Sequence, residues 1–309
     1  EGPYWWPDPA NPGGPYIRRD GEVNPDYFTA HRFALRALCD AVRDLSLAAF
    51  HLGRADCARR AGEVLRVWFV DAGTRMNPHL EHGQAIPGIC EGRGIGVIDT
   101  IPVIALAYGL GHLARCEGCP PQVLAATRAW LGEYLRWLTT SAKGLDEKRQ
   151  GNNHGTYWAA QVMALALAVG DETAAAGIEE HYRRVLVPGQ VQPDGRCPLE
   201  EARTRSLSYS LMNADGFALI CEMAHHRGTD LWRFRAEDGR GIEAVASYLA
   251  PFCEHPERWT GRQIAPVAPG RRLFLHLAGI RLERPDLLAL SRTLPPAPDA
   301  LWGPMELLG

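Results

Sequence analysis

Apolar residues recur every three or four positions through most of this sequence, and this helical period constrains the fold more than any other feature. Convincing alternating patterns, which would indicate strands, are absent. The sequence therefore predicts an all-α protein with helices at Asp26 to Gly53, Ala55 to Val70, Ile101 to Cys116, Pro120 to Gly144, Thr156 to Val169, Glu172 to Leu186, Ser206 to His226, Gly241 to Tyr248 and Arg271 to Ile280.

The predicted helices form pairs that are joined by long polar loops. Helix pairs that cannot bury one face alone either stack into a solenoid or close into a toroid. No fixed repeat period is visible, so an irregular toroid fits better than a regular array. The longest loop, residues 71–100, has too many apolar residues and glycines to be simply disordered, and loops of this length are commonly functional.

Residues 1–25 differ from the rest, because they are dense in proline, glycine and aromatic residues. Such composition excludes a helix and a regular strand. We expect an ordered arm, since Tyr4, Trp5, Trp6 and Tyr16 need a surface to pack on. The arm either packs on the body of the protein or forms one wall of a sugar cleft, where aromatic faces stack on pyranose rings.

Composition excludes several partners. No apolar run approaches the roughly 18 to 20 residues of a membrane span, and a net charge of −3 gives no reason to expect nucleic-acid or membrane binding. Of eight cysteines, only Cys116 and Cys119 form a C-x-x-C pair, without the second pair of a zinc ribbon. The even number permits disulfides without showing them.

The stretch GNNHGTYWAAQ, residues 151–161, places two amides and an imidazole where a helix begins. One asparagine could cap the helix, but Asn152 and Asn153 together exceed the need of one cap. The pair and His154 are therefore either a helix start alone or part of a site.

A second polar cluster, between residues 192 and 210, contains Glu200, Glu201, Arg203, Arg205 and Tyr209. On a helix that starts near Ser206, Arg205 and Tyr209 share a face, and Arg203 lies just ahead of it. The alternative is a solvated charged turn followed by a core tyrosine. A third cluster, in the long loop, comprises Gln84, Glu91, Arg93 and Asp99.

An amide, a histidine, an arginine and a tyrosine suit one reaction class, β-elimination in an acidic polysaccharide. The carboxylate of a uronate must be neutralised before a base can remove the C5 proton beside it, and an acid must protonate the departing O4. Amides or an arginine can neutralise the carboxylate. Histidine and tyrosine can serve as base and acid.

Several of these stretches resemble the alginate lyase domain family of polysaccharide lyases. The matching segments include PYWWPDP, PYIRRDG, LRVWFVDAGTRMNPHLEHGQAIPGICEGRGIGVIDT, GNNHGTYWAAQVMALALAVGD and QVQPDGRCPLEEARTRSLSYSLMN. The resemblance implies an incomplete (α/α) toroid of antiparallel helix pairs, with the substrate in a groove across its mouth. It also implies that residues 1–309 form one domain, with residues 1–25 as an irregular arm.

The resemblance implies roles for individual residues. Asn153 would hold the carboxylate, and Tyr209 would donate the proton to O4. His154 would be the base when the C5 proton lies on the opposite face, whereas Tyr209 could be both acid and base on other epimers. The catalytic arginine would be Arg203, although one branch of the family spaces arginine and tyrosine by one residue more, which leaves Arg205 as the alternative.

Further residues are candidates for binding the polysaccharide. Glu147 could lie near the carboxylate as a protonated acid or could be a solvated charge in DEKRQ. The remaining candidates are Gln84, Arg93, Arg205, Asn152, Trp158, Tyr4 and Trp5. The resemblance implies no metal or cofactor, and an alginate or glucuronan partner. With a chain that opens at Glu1 rather than Met, we expect a secreted or periplasmic protein.

Three other functions compete with a lyase. A glycoside hydrolase would need two opposed carboxylates, for which Glu147, Glu200 and Asp99 are candidates. A metal hydrolase is suggested by HLEH and by the adjacent His225 and His226, but their spacing differs from H-E-x-x-H. An inactive sugar-binding protein descended from a lyase is the third. The sequence favours a polysaccharide lyase with alginate as the first substrate and glucuronan as the second.

Overall fold

The computed structural model describes residues 1–297, and most of them are helical. The α-helices are α1 Ala30–Leu52, α2 Ala55–Phe69, α3 Val103–Leu113, α4 Pro121–Thr140, α5 Ala142–Lys148, α6 Asn153–Val169, α7 Glu172–His181, α8 Val187–Gln190, α9 Pro198–Glu201, α10 Ser206–His226, α11 Ile242–Glu254, α12 Leu273–Arg281 and α13 Pro285–Thr293. Two 3₁₀ segments, Gly94–Thr100 and Pro256–Arg258, and a π-helical segment, Tyr182–Leu186, complete the set within these residues.

Most predicted helices are present, with ends that shift by a few residues. The helix expected from Thr156 begins three residues earlier, because Asn152 caps it. The segment predicted as one helix from Glu172 to Leu186 is wrong at its end, since α7 stops at His181 and a π-helical turn follows. The π-helical segment is five residues long, with Tyr182 and Leu186 buried, and is too short for the apolar period of the sequence to reveal it. Helix α13 was not predicted, because its nine residues carry a short pattern.

The N-terminal arm contains a small strand pair, which corrects the expectation of no regular strand there. Strand β1, Trp5–Trp6, pairs antiparallel with β2, Ile17–Arg18, so that Trp5 lies opposite Arg18. Between them, the carboxylate of Asp8 accepts the backbone N–H of Ala10 at 2.9 Å, which tightens the proline-rich turn. The pairing shows that the arm is ordered, as predicted.

The described residues divide into two compact units, and the chain passes repeatedly from one to the other. The first unit contains residues 1–18, 23–147 and 161–175. Helix α1 packs on α2 and α3, and α2 packs on α4. The buried face of α2 carries Ala58, Ala61, Leu65 and Phe69, at the spacing that one helical face requires. Helix α1 ends at Gly53, whose φ of +66° costs little without a Cβ.

The second unit contains residues 19–22, 148–160 and 176–297 of the described chain. Its central helix is α10, which is buried on most of its faces and packs against α9, α11 and α12. A loop from later in the chain caps α10, because the side-chain oxygen of Gln263 accepts the N–H of Leu207 at 3.0 Å. Helix α12 packs in turn on α13. The prediction of one domain over residues 1–309 stays a prediction.

The long loop of residues 71–100 is ordered inside the first unit. Its backbone folds back on itself, since a Cβ added to Gly96 would lie 2.5 Å from the backbone of Gly83. Only glycine permits so close an approach. The next residue, Gln84, adopts a φ of +50°, which is unusual for a residue with a side chain and is often found at functional sites.

Two further features bear on earlier expectations. All eight cysteines are free thiols, so the open question of disulfides is answered. Among residues 1–297, no single helix is long and apolar enough to cross a membrane, although the bent pair of Gly94–Thr100 and Val103–Leu113 passes by length and composition alone.

Candidate functional site

The two asparagines at the start of α6 have different structural tasks. The side-chain oxygen of Asn152 accepts the N–H of His154 at 3.2 Å, and its carbonyl accepts the N–H of Thr156. Asn152 is therefore the helix cap. Asn153 is the first residue of α6, so its side chain is left for another purpose, and half-exposed His154 follows it.

A buried carboxylate holds Asn153 in place. Glu200, on the short helix α9, accepts the backbone N–H of Asn153 at 2.5 Å with one oxygen and the side-chain Nδ2 at 2.8 Å with the other. Asn153 is 1% exposed and Glu200 0%. Burial raises the pKa of Glu200, against the opposing effects of Asn153, Arg203 and His154. The bonds fix the amide plane and leave the second N–H of Nδ2 for a ligand.

From the sequence, Glu200 was a member of the second polar cluster and a candidate carboxylate of a hydrolase, with no role predicted for it in a lyase. Its position 47 residues after Asn153 carries no local signal of the contact. The one available signal is general: a carboxyl group as close to an apolar helix as Glu200 is to α10 must find hydrogen-bond partners if it is buried.

Arg203 and Tyr209 are in direct contact. The guanidinium carbon of Arg203 lies 4.2 Å from the centre of the tyrosine ring, and Nη2 donates to the phenol oxygen at 3.2 Å. Both the charge and the hydrogen bond stabilise a phenolate. Among the described residues, Nη1 of Arg203 donates to no protein atom. It is therefore available to an anionic ligand.

Arg205 does not share this arrangement. It occupies the N-cap position of α10 without a side-chain capping bond, and its backbone forms an isolated bridge with Gln263. Its Nε is buried and has no hydrogen-bond partner in the part of the chain that the structure describes. The structure thus brings Arg203, and not Arg205, onto the phenol of Tyr209.

The N-terminal arm supplies a residue for which the sequence predicted no role. Asp20 accepts Nη2 of Arg203 at 2.9 Å and approaches Nε at 3.4 Å. Burial lowers the pKa of Arg203, but Asp20 and Tyr209 outweigh it, and the net effect is a raised pKa. Arg203 therefore stays charged beside Tyr209.

Behind the helix start, a polar network anchors α6. Gln190 accepts the hydroxyl of Thr156 and the amide of Asn213, each at 3.0 Å, and donates to the carbonyl of Asn152 at 3.2 Å. The hydroxyl of Tyr157 donates to the carbonyl of Met212 at 3.0 Å. These bonds join α6 to α8 and α10, so His154 and Tyr209 are placed by one network.

In the first unit, three predicted binding residues come together. Arg93 donates to the side-chain oxygen of Gln84 at 3.1 Å and to its carbonyl at 3.0 Å, and it lies 5.7 Å from the ring centre of Trp5. Gln84 in turn donates to Asp99 at 3.3 Å, which pairs with Arg32. The half-exposed rings of Tyr4 and Trp5 belong to the same unit.

Two other predicted residues are in the core. Trp158 is 3% exposed and packs against the edge of His181 and under Lys148. Burial, with the charge of Lys148, lowers the pKa of His181 to about 4. Glu147 is 0% exposed in the first unit, so the alternative that it is a solvated charge is wrong.

Comparison with known proteins decides the family. The sequence model of the alginate lyase family matches residues 1–259. The chain belongs to the alginate lyase family. This lyase is similar to the crystal structure of an alginate lyase from Bacteroides ovatus, at 33% identity and a TM-score of 0.89, over 96% of this chain and 80% of that chain.

More distant structures share the fold of the lyase. Alginate lyase A1-III from Sphingomonas species A1 matches with a TM-score of 0.64 and 19% identity, over 89% of this chain and 75% of that one. A variant of A1-III complexed with a tetrasaccharide matches with a TM-score of 0.62 and 19% identity, over 78% and 64%. No curated protein matches the sequence. The predicted fold class, an all-α toroid of antiparallel helix pairs, is confirmed, and the enzyme is a polysaccharide lyase.

Proposed function

We propose that this lyase cleaves a 1,4-linked polyuronate by β-elimination, with alginate as the first substrate and glucuronan as the second. The observation that carries the proposal is the contact of Arg203 with Tyr209, in the same compact unit as Asn153 and His154. The name of the family and the alginate lyase from Bacteroides ovatus support alginate.

The first task of the site is to neutralise the uronate carboxylate. Nη1 of Arg203 and the second N–H of the Asn153 amide are the donors for it. Charge on the carboxylate grows as the C5 proton leaves, so these donors bind the transition state more strongly than the ground state. Fixed donors do this with little reorganisation, and Glu200 fixes Asn153.

The second task is proton transfer. A base removes the proton from C5, the electron pair forms the C4–C5 double bond, the bond from C4 to the glycosidic oxygen breaks, and Tyr209 gives its proton to that oxygen. His154 is the base where the C5 proton faces the imidazole. Where the proton lies on the face of Tyr209, the phenolate that Arg203 stabilises takes it, and the same group then returns a proton to O4.

The first-unit cluster of Trp5, Gln84 and Arg93 is proposed to bind a sugar residue of the polymer. An aromatic face can stack on a pyranose ring, and Arg93 can pair with a uronate carboxylate. Burial lowers the pKa of Arg93, and the negative charge of a carboxylate partner would offset part of the cost of burying the guanidinium. From the family resemblance, we propose that the enzyme works in the periplasm or outside the cell.

A glycoside hydrolase is disfavoured by the positions of its candidate carboxylates. Glu147 and Glu200 are both 0% exposed, and Glu200 is engaged by Asn153. A hydrolase needs two carboxyl groups that reach the scissile bond from opposite sides. Asp99 is half-buried and is already engaged by Gln84 and Arg32.

The proposal is tested by ultraviolet absorbance of the purified enzyme with polymannuronate, polyguluronate and glucuronan in separate reactions. A rise in absorbance reports the C4–C5 double bond, which hydrolysis does not produce. The same reactions with a chelator test for a metal requirement. Reducing ends without a rise in absorbance would indicate a hydrolase, and binding without either product would indicate an inactive sugar-binding protein.

A further inference from the structure

We propose that Asp20 is a positioning residue that holds the guanidinium of Arg203 over the ring of Tyr209. The inference rests on the proposed function, because it assigns a task in that reaction to the N-terminal arm. Asp20 does not touch the substrate in the proposed mechanism. It acts through Arg203.

Asp20 and Tyr209 hold the same guanidinium from different directions. Nη2 of Arg203 donates to Asp20 at 2.9 Å and to the phenol oxygen at 3.2 Å, while Nε lies 3.4 Å from the second carboxylate oxygen of Asp20. A guanidinium that is bound at two of its nitrogens cannot rotate away from the ring of Tyr209. The remaining nitrogen, Nη1, is then directed to one place, where we expect the uronate carboxylate.

Thr204, the neighbour of Arg203, binds Asp20 and so fixes the position of its carboxylate. The hydroxyl of Thr204 lies 2.9 Å from the Asp20 carboxylate and 3.0 Å from its carbonyl. Gly21 has a φ of +78°, and a Cβ there would meet the Thr204 hydroxyl at 2.3 Å. The backbone of the arm therefore fits against residues 203 and 204 only with glycine at position 21.

Residues 19–22 belong to the compact unit that contains Asn153, His154, Arg203 and Tyr209, whereas residues 1–18 belong to the other. The sequence suggested two tasks for the arm, plain packing or one wall of a sugar cleft. We propose a third, in which residues 19–22 complete the surroundings of Arg203. The carboxylate also offsets the positive charge that is buried beside Tyr209.

The kinetic test compares Asp20→Asn with the wild type on the best polyuronate. Asparagine keeps the size of the side chain but removes the charge and one acceptor, so Arg203 is free to turn. Small misplacement of a group at a reacting centre costs up to about 100-fold. We expect kcat to fall by about 10- to 100-fold with KM changed less than about threefold, because Arg203 acts most strongly on the charge of the transition state.

Three variants separate positioning from a merely structural role. Asp20→Glu restores a carboxylate and should recover most of the lost kcat. Thr204→Val removes the other tether of the arm but keeps the ion pair, so its kcat should stay within about threefold of wild type even if the melting temperature falls. Asp26→Asn removes an exposed charge just beyond the arm and should have no effect. Equal losses in Asp20→Asn and Thr204→Val would overturn the proposal.

A measurement without substrate keeps this inference separate from the proposed function. In a ¹⁵N spectrum of arginine side chains, the Arg203 Nε–H, assigned by its loss in Arg203→Lys, should be sharp and slow to exchange in the wild type. It should broaden or exchange faster in Asp20→Asn and not in Asp26→Asn. An unchanged signal would overturn the positioning role. An inactive wild type with the expected spectra would instead overturn the proposed function alone.

Discussion

Glu200 holds Asn153 through both of its carboxylate oxygens, one on the backbone N–H and one on the side-chain amide, with no solvent exposure. A buried carboxylate that serves as a bidentate acceptor is expensive to place. Its position is explained if the amide of Asn153 must have one orientation when the substrate arrives.

Replacing Glu200 with glutamine should therefore damage both stability and activity. Glutamine has one acceptor oxygen and one NH₂ group, so one donor of Asn153 is left unpaired whichever way the new amide turns. An unpaired buried donor costs about 1–3 kcal/mol, which thermal or urea unfolding would measure, and we expect kcat to fall by about 10- to 100-fold. Glu201→Gln, on the same helix and bonded to Arg196, is the control and should keep kcat.

The free energy of unfolding should depend on pH differently in the wild type and in Glu200→Gln. Burial raises the pKa of Glu200, so between its usual carboxyl value and the folded value the native state binds more protons than the unfolded state. Stability conferred by the protonated group is then lost as the pH rises through the folded pKa. The stability of the wild type relative to Glu200→Gln should fall with rising pH in that window. If the difference in unfolding free energy between the two proteins did not change with pH, Glu200 would not have a raised pKa in the folded state.

Tyr209→Phe should abolish turnover and largely keep substrate binding. The phenyl ring still packs under Arg203, whereas the proton for O4 and the phenolate are gone. Loss of general acid and base catalysis corresponds to about 100- to 10,000-fold in kcat. Absorbance measures the rate and titration calorimetry the affinity, and full activity in this variant would refute the assignment of the site.

His154→Ala should reveal which epimer each base serves. We expect a loss of about 100-fold or more on the polymer whose C5 proton faces the imidazole, and a smaller loss where Tyr209 is both base and acid. Parallel rates on polymannuronate and polyguluronate give the comparison. Equal losses on both polymers would argue against two separate bases.

Gln84 allows the backbone and the side chain to be tested separately. Gln84→Ala and Gln84→Gly both remove the side-chain bonds to Arg93 and Asp99 and keep the bond from Arg93 to the backbone carbonyl, so both should raise KM by a similar factor. Only glycine tolerates the φ of +50° without a steric cost. The alanine variant should therefore be less stable than the glycine variant by about 1 kcal/mol, measured by urea unfolding. Equal stability would show that the backbone relaxes.

The sequence by itself determined the helices, because a buried face repeats every three or four residues and leaves a pattern in a single chain. It also placed Asn153 and His154 at a helix start and Arg203 ahead of the helix of Tyr209. These are local relationships, and local spacing decides which side chains share a face. Spacing alone did not decide whether Arg203 or Arg205 is the arginine beside Tyr209, because that depends on the direction in which each guanidinium points.

Only the tertiary structure decided which distant groups complete the site. Glu200 lies 47 residues from Asn153, and Asp20 lies 183 residues from Arg203. Nothing in the spacing of such residues records their contact, because packing of whole helices and the course of the arm bring them together. Burial was also decided by tertiary packing. Glu147 lies in the polar stretch DEKRQ and Trp158 in the motif of residues 151–161, yet the core encloses both side chains.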